Sequence, residues 1–427
     1  MKFPGRRKLK HYFPVSQPKL TLPSYEVRPE LDTYIVGLDQ TIVDVIANVS
    51  DEFLQKYGIG KGLSNLVEHG KADLIYQELV GSNAISDHFA GGTIGNTVHN
   101  YSVLADDKSV LLGVMSANIQ LGSPAYHYLC HTSSKVDMNH LQGVPGDIGR
   151  GITMITPDGE RTFVIDPGDM DELTPAYIPT DIIAKAAAIV VSAYPLRATD
   201  QPIQQAMVKM LSDAKAADVP VVMSLGTKHL VEEHQALIQQ TLSQYVNVLA
   251  MNELEAEALT GFSDPLLAAE AALDYVDMVL LTAGPEGLYL CGYTDASAKR
   301  ETTNPIKSGA LADYNEFEFS RPMQKKDCQQ PVKVYSHIDP YLGGPERIKN
   351  TNGAGDGALA AILHDIAANH FHRQTLPLSS KHEQPYLAYS CKYANRVSYA
   401  ILVQNAPRLS KGLPEKEDSL EESYWDR

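Results

Sequence analysis

The segment NTNGAGDGA at residues 350–358 carries the clearest chemical signal in the sequence, and an apolar helix is predicted directly after it, at Leu359–Ile366. Small residues let a backbone approach a ligand closely. Amides at a helix N-terminus bind anions; here these would be the amides of Gly353, Ala354 and Gly355. Asp356 would accept a proton from a hydroxyl group. Donors for the charge on a moving phosphoryl group, together with a carboxylate for the nucleophile, favour phosphoryl transfer. The alternative is a glycine-rich turn in which Asp356 is only the helix N-cap.

A second glycine-rich turn, FAGGTIGN at residues 89–96, also enters a predicted helix. Gly91 and Gly92 would expose backbone amides, and the side chain of Asn96 offers both a donor and an acceptor. These groups suit the recognition of hydroxyls. A plain tight turn would use the same residues.

Polar residues also stand within or directly after predicted strands. Asp44 lies in the apolar stretch IVDVI, where a buried carboxylate needs partners and a vicinal diol would supply them; a solvent-facing aspartate on an alternating strand is the alternative.

Asn252 and Glu255 fit a metal–water–phosphate network, since Mg²⁺ keeps waters and meets few carboxylates. They fit a helix capping box equally well.

Two further candidates stand at strand ends. The turn TAGPEG at residues 282–287 would border a nucleotide phosphate or ribose, or be a plain connection between strands. Arg197 ends the segment Ile189–Leu196, where a cation can neutralise phosphate. A surface salt bridge is the alternative for Arg197.

The elements that must position these residues alternate between short apolar strands and helices. Apolar, β-branched runs of this kind are typical of strands buried on both faces of a parallel sheet: Tyr34–Leu38, Val110–Met115, Ala187–Ala193, Val219–Leu225, Val246–Met251 and Met278–Thr282. Helices such as Gln201–Ala217 and Glu253–Thr260 are predicted between them. The pattern predicts a doubly wound α/β domain with a mostly parallel sheet, in which ligands bind beyond the carboxyl ends of the strands.

Other regions depart from this alternation. TMITPDGERTFVI predicts a hairpin about Asp158-Gly159 and a small β lobe built from about 40–66 and 150–172. Gly292–Lys349 is long, polar and irregular, which predicts an insertion at one rim of a site. The remaining divisions are an N-terminal arm at 1–32, the α/β domain at 33–413 and an acidic tail at 414–427.

Composition narrows the function classes. The 427 residues include 36 Lys and Arg against 52 Asp and Glu, a net charge of −16, so neither nucleic acid nor an acidic membrane surface is an expected partner. Cysteines without CxxC spacing predict reduced thiols in a cytoplasmic protein, and the histidines are expected to be surface or core residues rather than metal ligands. No apolar run reaches about 18 residues, and no secretory signal is recognisable.

The sequence lacks the motifs that two other classes of enzyme require. A Walker-type P-loop would need GxxxxGK followed by Ser or Thr, and a nicotinamide-dependent oxidoreductase would need GxGxxG after the first strand. The first turn here is GLDQ.

The order of the motifs resembles that of the ribokinase (PfkB-type carbohydrate kinase) family. The series is an aspartate near the first strand, GGxxxN, a β-hairpin lobe, NxxE, TxGxxG, and GAGD opening a late helix, and it covers roughly residues 33–405. The resemblance implies a ribokinase-like fold with helices on both faces of the sheet. It also implies a small β lid that excludes water during phosphoryl transfer.

The resemblance implies roles for the individual residues. Asp356 would be the general base, the amides of Gly353–Gly355 would form the anion hole, and Asn252 and Glu255 would organise Mg²⁺ through water. The substrate-binding residues would be Asp39, Gln40, Asp44, Gly91, Gly92, Thr93, Asn96 and Arg197. The nucleotide-binding residues would be Asn252, Thr282, Gly284, Gly287, Thr351 and Asn395, the last in a helix predicted at Cys391–Tyr399. The implied cofactors are Mg²⁺ with ATP and a K⁺ ion near the anion-hole loop.

The sequence departs from the family pattern at three places. Asn350 stands where the family has an acidic residue opening the GAGD motif, and Asp39 competes with Asp44 as the ribose ligand because two extra residues follow the first strand. The insertion lies where the family contacts adenine. A helix N-terminus also stabilises a charged carboxylate, which predicts that Asp356 is a weak base that mainly orients the hydroxyl.

The full length, including the arm and the tail, resembles bacterial members that phosphorylate the 5′-hydroxyl of inosine and guanosine to give IMP and GMP. The expected function is therefore that of a purine nucleoside kinase in salvage. A sugar kinase of the same family shares every motif and is the main alternative. A non-catalytic nucleotide sensor is the other, and a homo-oligomer is left open.

Overall fold

The computed structural model describes residues 26–412 except 106, 198, 302–316, 319–323, 342–346 and 376–386. Most of the predicted N-terminal arm and all of the predicted acidic tail lie outside these residues. Within the described ranges, none of the helices combines the length and the apolar character needed to cross a membrane.

Strands and helices alternate along the chain. The strands are β1 (Tyr34–Leu38), β2 (Ile42–Asn48), β3 (Ser64–Leu66), β4 (Ile85–Ala90), β5 (Lys108–Leu112), β6 (Val114–Ser116), β7 (Val136–Asp137), β8 (Gln142–Val144), β9 (Gly149–Ile155), β10 (Arg161–Asp166), β11 (Ala188–Ser192), β12 (Val221–Ser224), β13 (Val248–Asn252), β14 (Met278–Thr282), β15 (Leu288–Asp295), β16 (Arg300–Glu301), β17 (Phe317–Glu318) and β18 (Pro331–Ile338). The α-helices are α1 (Asp51–Lys56), α2 (His69–Gly81), α3 (Thr93–Ala105), α4 (Pro124–Cys130), α5 (Thr180–Ile183), α6 (Pro202–Ala216), α7 (Lys228–Tyr245), α8 (Glu253–Thr260), α9 (Pro265–Ala272), α10 (Ala354–Thr375) and α11 (Leu387–Leu402).

The main sheet has the strand order β18-β15-β14-β13-β12-β11-β1-β5-β7. Strands from β14 to β7 are parallel to their neighbours, and β15 and β18 extend one edge in antiparallel pairing. Every residue of β1 and β11 is buried, which explains their continuous apolar sequences. The predicted α/β class with a mostly parallel sheet is confirmed.

The predicted strand at Val110–Met115 is two strands in the structure. β5 belongs to the main sheet, whereas β6 pairs with β8 in a separate two-stranded sheet. The break falls at Gly113, where a Cβ atom would lie 2.9 Å from the backbone oxygen of Asp39. Glycine therefore permits the close approach at which the chain changes sheets.

A smaller five-stranded sheet has the order β3-β10-β9-β2-β4. β9 and β10 form the predicted hairpin, and Gly159 in its turn has φ +85°. The ranges predicted for the small lobe contain β2, β3, β9 and β10 but not β4. This sheet, named the small sheet below, carries Asp44 on β2.

The region predicted as an irregular insertion contains regular structure. β15 and β18 pair from Leu288 opposite Ile338 to Asp295 opposite Pro331, so the prediction is wrong for residues 292–295 and 331–338. β18 was missed because it is an edge strand whose sequence, PVKVYSHI, mixes polar and apolar residues. The irregularity predicted at 302–316 concerns residues outside the described ranges.

Candidate active site

Most of the predicted site residues lie along the carboxyl ends of the strands of the main sheet. Asp39 follows β1, Asn252 ends β13, and Thr282 ends β14. Asn252 and Thr282 are direct partners in the parallel pairing of β13 with β14. The fold therefore gathers these segments at the carboxyl ends of the strands, as expected for a ligand site in this class of sheet.

Asp356 lies in the first turn of α10, which begins at Ala354. Gly353 precedes the helix with φ +81°, and a Cβ atom there would lie 2.7 Å from the carbonyl oxygen of Pro407, so the position requires glycine. The space beside Gly355 is open, and amides in a first helical turn have no partner within the helix. Because Asp356 is inside the helix, the interpretation of this residue as an N-cap is wrong.

Asn96 connects the two glycine-rich motifs. It is buried in the first turn of α3, and its side-chain Nδ2 donates a hydrogen bond to Asp356 Oδ2 at 3.0 Å. Two motifs separated by 260 residues of sequence thus meet at one carboxylate.

Two glycines make room for the competing aspartates. A Cβ atom at Gly92, where φ is +83°, would lie 2.1 Å from Asp39 Oδ2, and one at Gly91 would lie 2.5 Å from Asp44 Oδ2. Asp39 is 2% exposed and accepts a hydrogen bond from the amide of Gly95 at 2.7 Å. By contrast, none of the described residues donates a hydrogen bond to Asp44. Asp39 is therefore occupied in holding the start of α3, while Asp44 is open to a ligand.

These carboxyls share a desolvated environment. Burial raises the pKa of Asp356 to about 7, the pKa of Asp39 to about 7 and the pKa of Asp44 to about 6. At Asp356, the hydrogen bond from Asn96 and the charge of Arg408 act in the opposite direction. The expectation that the helix terminus makes the pKa of Asp356 low is wrong, because burial raises it. A carboxyl that titrates near neutral pH is matched to proton transfer.

Arg408, which was not predicted from the sequence, is buried beside these carboxyls. Its Nε donates to Asn96 Oδ1 at 2.9 Å, and its guanidinium lies 4.9 Å from the ring centre of Tyr128. Arg408 follows the last described helix in the unremarkable segment NAPRLS. No local pattern marks it, because its partners are about 300 residues away.

Asn252 and Glu255 form the predicted capping box at the start of α8. The Asn252 backbone and side-chain amides donate to the two Glu255 oxygens at 3.1 and 2.8 Å, and the Glu255 amide donates to Asn252 Oδ1 at 2.9 Å. Burial raises the pKa of Glu255 to about 7. Each carboxylate oxygen keeps a second lone pair that a metal-bound water can use, so the capping box and a water-mediated Mg²⁺ site are compatible.

The turn after β14 meets β18 and α11. Gly287 has φ +94°, and a Cβ atom there would lie 2.1 Å from the carbonyl oxygen of Ile338. Asn395 Nδ2 donates to the same carbonyl at 3.3 Å and to that of Asp339 at 2.7 Å. The structure thus brings the predicted nucleotide-binding residues Gly284, Gly287 and Asn395 to one place, close to Thr282.

Gln40 and Arg197 lie beside the carboxylates. The Gln40 side-chain amide donates to Asp171, and its oxygen accepts from Arg197 Nη2 at 3.4 Å. Arg197 is exposed, and its guanidinium lies 5.3 Å from the ring centre of Tyr194. Within the described ranges Arg197 has no ion pair, contrary to the alternative interpretation. Thr93, which begins α3, is partly buried.

Asn350 holds the loop that precedes α10. It is 7% exposed, its Nδ2 donates to the carbonyl of Asn405 at 2.8 Å, and its Oδ1 accepts from the amide of Asn352 at 3.0 Å. Thr351 is exposed. The side chain of Asn350 therefore holds the loop through both its nitrogen and its oxygen.

Comparison with known proteins identifies the family. The profile of the pfkB family carbohydrate kinases matches residues 126–308. A guanosine-inosine kinase from Escherichia coli strain K12 is 57% identical over the full length of both chains. The chain belongs to the pfkB carbohydrate kinase family. This confirms the family predicted from the order of the motifs and the predicted class of enzyme, a kinase.

Solved structures of other kinases share this architecture. A probable sugar kinase from Rhizobium etli CFN 42 has a TM-score of 0.65 with 18% identity, covering 92% of this chain and 98% of that one. An adenosine kinase from Sinorhizobium meliloti has a TM-score of 0.62 with 20% identity, covering 93% of this chain and 100% of that one. At such low identities, the likeness shows the ribokinase-like fold alone.

Proposed function

We propose that this kinase transfers the γ-phosphoryl group of ATP to the 5′-hydroxyl of guanosine and inosine, giving GMP and IMP. The observation that carries the choice of acceptor is the 57% identity with a guanosine-inosine kinase along the whole chain. The arrangement around Asp356 supports the reaction type, because it combines a near-neutral base with open amides at a helix start.

Asp356 acts as the general base in this proposal. Its carboxylate accepts the proton of the 5′-hydroxyl while that oxygen forms a bond to the γ-phosphorus and the bond to the β–γ bridging oxygen breaks, so that ADP leaves. Asn96, which donates to Asp356 Oδ2, leaves Oδ1 for the hydroxyl. The amides of Gly353, Ala354 and Gly355 stabilise the negative charge on the transferred group.

Asp44 holds the ribose hydroxyls. It has no hydrogen-bond donor among the described residues, and a carboxylate with two free oxygens matches the two hydroxyls of a ribose. Asp39 supports this site indirectly, because it accepts a hydrogen bond from the start of α3. Gly91 and Gly92 leave the space that the two carboxylates occupy.

The small sheet serves as the lid. Asp44 on β2 is paired with Phe89 on β4 and with Gly151 on β9, so a nucleoside bound at Asp44 contacts this sheet directly. Closing it over the acceptor excludes water and limits hydrolysis of ATP.

Asn252 and Glu255 would hold Mg²⁺ through its waters, and the bound ion would supply charge neutralisation for the phosphates. Thr282, Gly284, Gly287, Thr351 and Asn395 border the nucleotide in this proposal. A role for K⁺ near the loop before α10 stays a prediction.

The test is ADP release from Mg·ATP by the purified protein. Inosine, guanosine, adenosine, cytidine, ribose and fructose 6-phosphate are offered separately, each with and without K⁺. We expect release with guanosine and inosine and little with the others. Release with a sugar alone would overturn the acceptor, and the absence of release with every acceptor would overturn the assignment as a purine nucleoside kinase.

A further inference from the structure

We infer that Arg408 is a positioning residue for the reaction: it turns the side chain of Asn96 so that the amide faces Asp356. The segment that carries it, residues 403–412, is thereby part of the active centre. This inference rests on the proposed role of Asp356 as the base but not on the identity of the acceptor. Arg408 is not in contact with Asp356 itself and acts through Asn96.

All three nitrogens of the Arg408 guanidinium are used. Nε donates to Asn96 Oδ1 at 2.9 Å, Nη2 donates to the carbonyl of Gly91 at 2.9 Å, and Nη1 donates to Thr132 Oγ1 at 2.7 Å. The side chain is 5% exposed and stacks against Tyr128. A planar guanidinium with a partner at each nitrogen is held in one orientation.

The orientation of Asn96 follows from donor and acceptor chemistry. Arginine has only donors, so the atom of Asn96 that faces Nε must be the oxygen. The nitrogen of Asn96 then faces the other way, toward Asp356 Oδ2 at 3.0 Å. Without Arg408, Asn96 Oδ1 loses its donor, so the amide is held only by its bond to Asp356 and its position is less fixed.

The loop that presents Arg408 is fixed along α3. The Leu409 amide donates to Asn100 Oδ1 at 2.8 Å, the Asn100 Nδ2 donates to the Pro407 carbonyl at 3.3 Å, and the Leu409 carbonyl contacts His99 Nε2 at 2.9 Å. Pro407 also packs against Gly353 at the start of α10. The loop therefore joins the two helix starts between which the hydroxyl would react.

The charge of Arg408 acts on several groups at once. Those that face it are Asp39 after β1, Asp44 on β2, Asp356 on α10, Tyr128 on α4, His131 after α4 and His99 on α3. Its charge lowers the pKa of each of the three aspartates against the larger effect of burial. Removing Arg408 should therefore raise those three pKa values.

The test compares Arg408→Met and Arg408→Lys with wild type. In Arg408→Met we expect kcat to fall roughly 10²-fold, the cost of misplacing a reacting group, with a smaller change in acceptor KM. On the acidic side of its pH profile, kcat/KM should begin to decrease at a higher pH than in wild type. In Arg408→Lys the positive charge remains, but the planar set of donors is lost. Its kcat should therefore fall, while the acidic side of its kcat/KM profile stays near the wild-type pH.

Arg28→Met is the matched control, because the Arg28 side chain is 59% exposed and pairs with Asp32 away from the site; its kcat should equal that of wild type. A double-mutant cycle with Asn96→Ala isolates the mechanism. If Arg408 acts through Asn96, adding Arg408→Met to the Asn96→Ala variant should lower kcat little further, although it should still lower Tm. A full additional loss of kcat there, or an unchanged kcat with a lowered Tm in the single variant, would overturn the inference.

A second readout does not depend on turnover. In protein labelled at the aspartate carboxyl carbons, the resonance missing from Asp356→Asn is titrated in wild type and in Arg408→Met. We expect its midpoint to rise in Arg408→Met, and an unchanged midpoint would contradict the inference. Failure of guanosine and inosine as acceptors would overturn the proposed function alone.

Discussion

The side-chain amide of Asn96 lies 3.0 Å from the carboxylate of Asp356, so the start of α3 and the start of α10 share one hydrogen bond at the centre of the candidate site. Around it, Asp44 is the carboxylate open to a ligand, Asp39 is the carboxylate that is already bonded, and Arg408 sets the direction of the amide. The arrangement assigns separate tasks to residues that look interchangeable in the sequence.

Asp44→Ala and Asp39→Ala should separate binding from stability. Loss of the charged hydrogen bonds of Asp44 to ribose should raise the acceptor KM about 10- to 100-fold, with little change in Tm. At pH 5, where the buried Asp39 carries little charge in the folded state, loss of its bond to the start of α3 should lower the free energy of unfolding by about 1 kcal/mol. Steady-state kinetics and thermal melts of both variants check this, and the reverse pattern would assign the ribose to Asp39.

Gly91→Ala should weaken acceptor binding through Asp44. Its new Cβ atom would lie 2.5 Å from Asp44 Oδ2, so the carboxylate must move from the position that a ribose needs. Gly81→Ala is the matched control, because a Cβ atom there meets nothing within 4 Å. An acceptor KM that is the same in both variants would show that the position of Asp44 does not matter.

Activity should fall as the pH drops below about 7. Asp356 accepts a proton only when ionised, and burial raises its pKa to about 7, so kcat/KM should rise with pH through that value and then level off. The measurement is kcat/KM for guanosine from pH 5 to pH 9 with saturating Mg·ATP. A flat profile down to pH 5 would be inconsistent with Asp356 as a buried base.

The same burial should make the protein less stable at high pH. Asp39, Asp356 and Glu255 each have a pKa of about 7 in the folded state, above their values in the unfolded chain. Between about pH 4 and pH 7 the folded state binds more protons than the unfolded state, so the free energy of unfolding decreases as the pH rises through this window.

Asp356→Asn removes one of these charges and should raise Tm at pH 8 more than at pH 5. One unit of pKa shift corresponds to about 1.4 kcal/mol, so the difference is measurable by calorimetry. Asp295→Asn serves as the contrasting variant, because backbone hydrogen bonds from Gln330 and Ser297 lower the pKa of Asp295 to about 2. Loss of the Asp295 charge should destabilise the protein at pH 8.

Local patterns predicted the fold well. The apolar runs of β1 and β14 gave their bounds, and the Asp-Gly turn gave the hairpin of β9 and β10. β18 escaped prediction because an edge strand needs no continuous apolar sequence. β15 lies between β14 and β18, and the predicted insertion began inside it, at Gly292.

The site was predictable where its chemistry is local. GAGD, GGxxxN and NxxE each place their residues within one turn, and the structure brings all three together. Arg408, the raised pKa of Asp356 and the division of tasks between Asp39 and Asp44 depend on contacts between distant segments and on burial, which a sequence alone does not report.

The most direct test of the account is the turnover of guanosine by wild type and by Asp356→Asn, with the affinity for ATP measured beside it. The account predicts that wild type phosphorylates guanosine and that kcat in the variant falls by at least about 10²-fold, while the Kd for ATP stays the same. Turnover of guanosine by Asp356→Asn at the wild-type rate would contradict it.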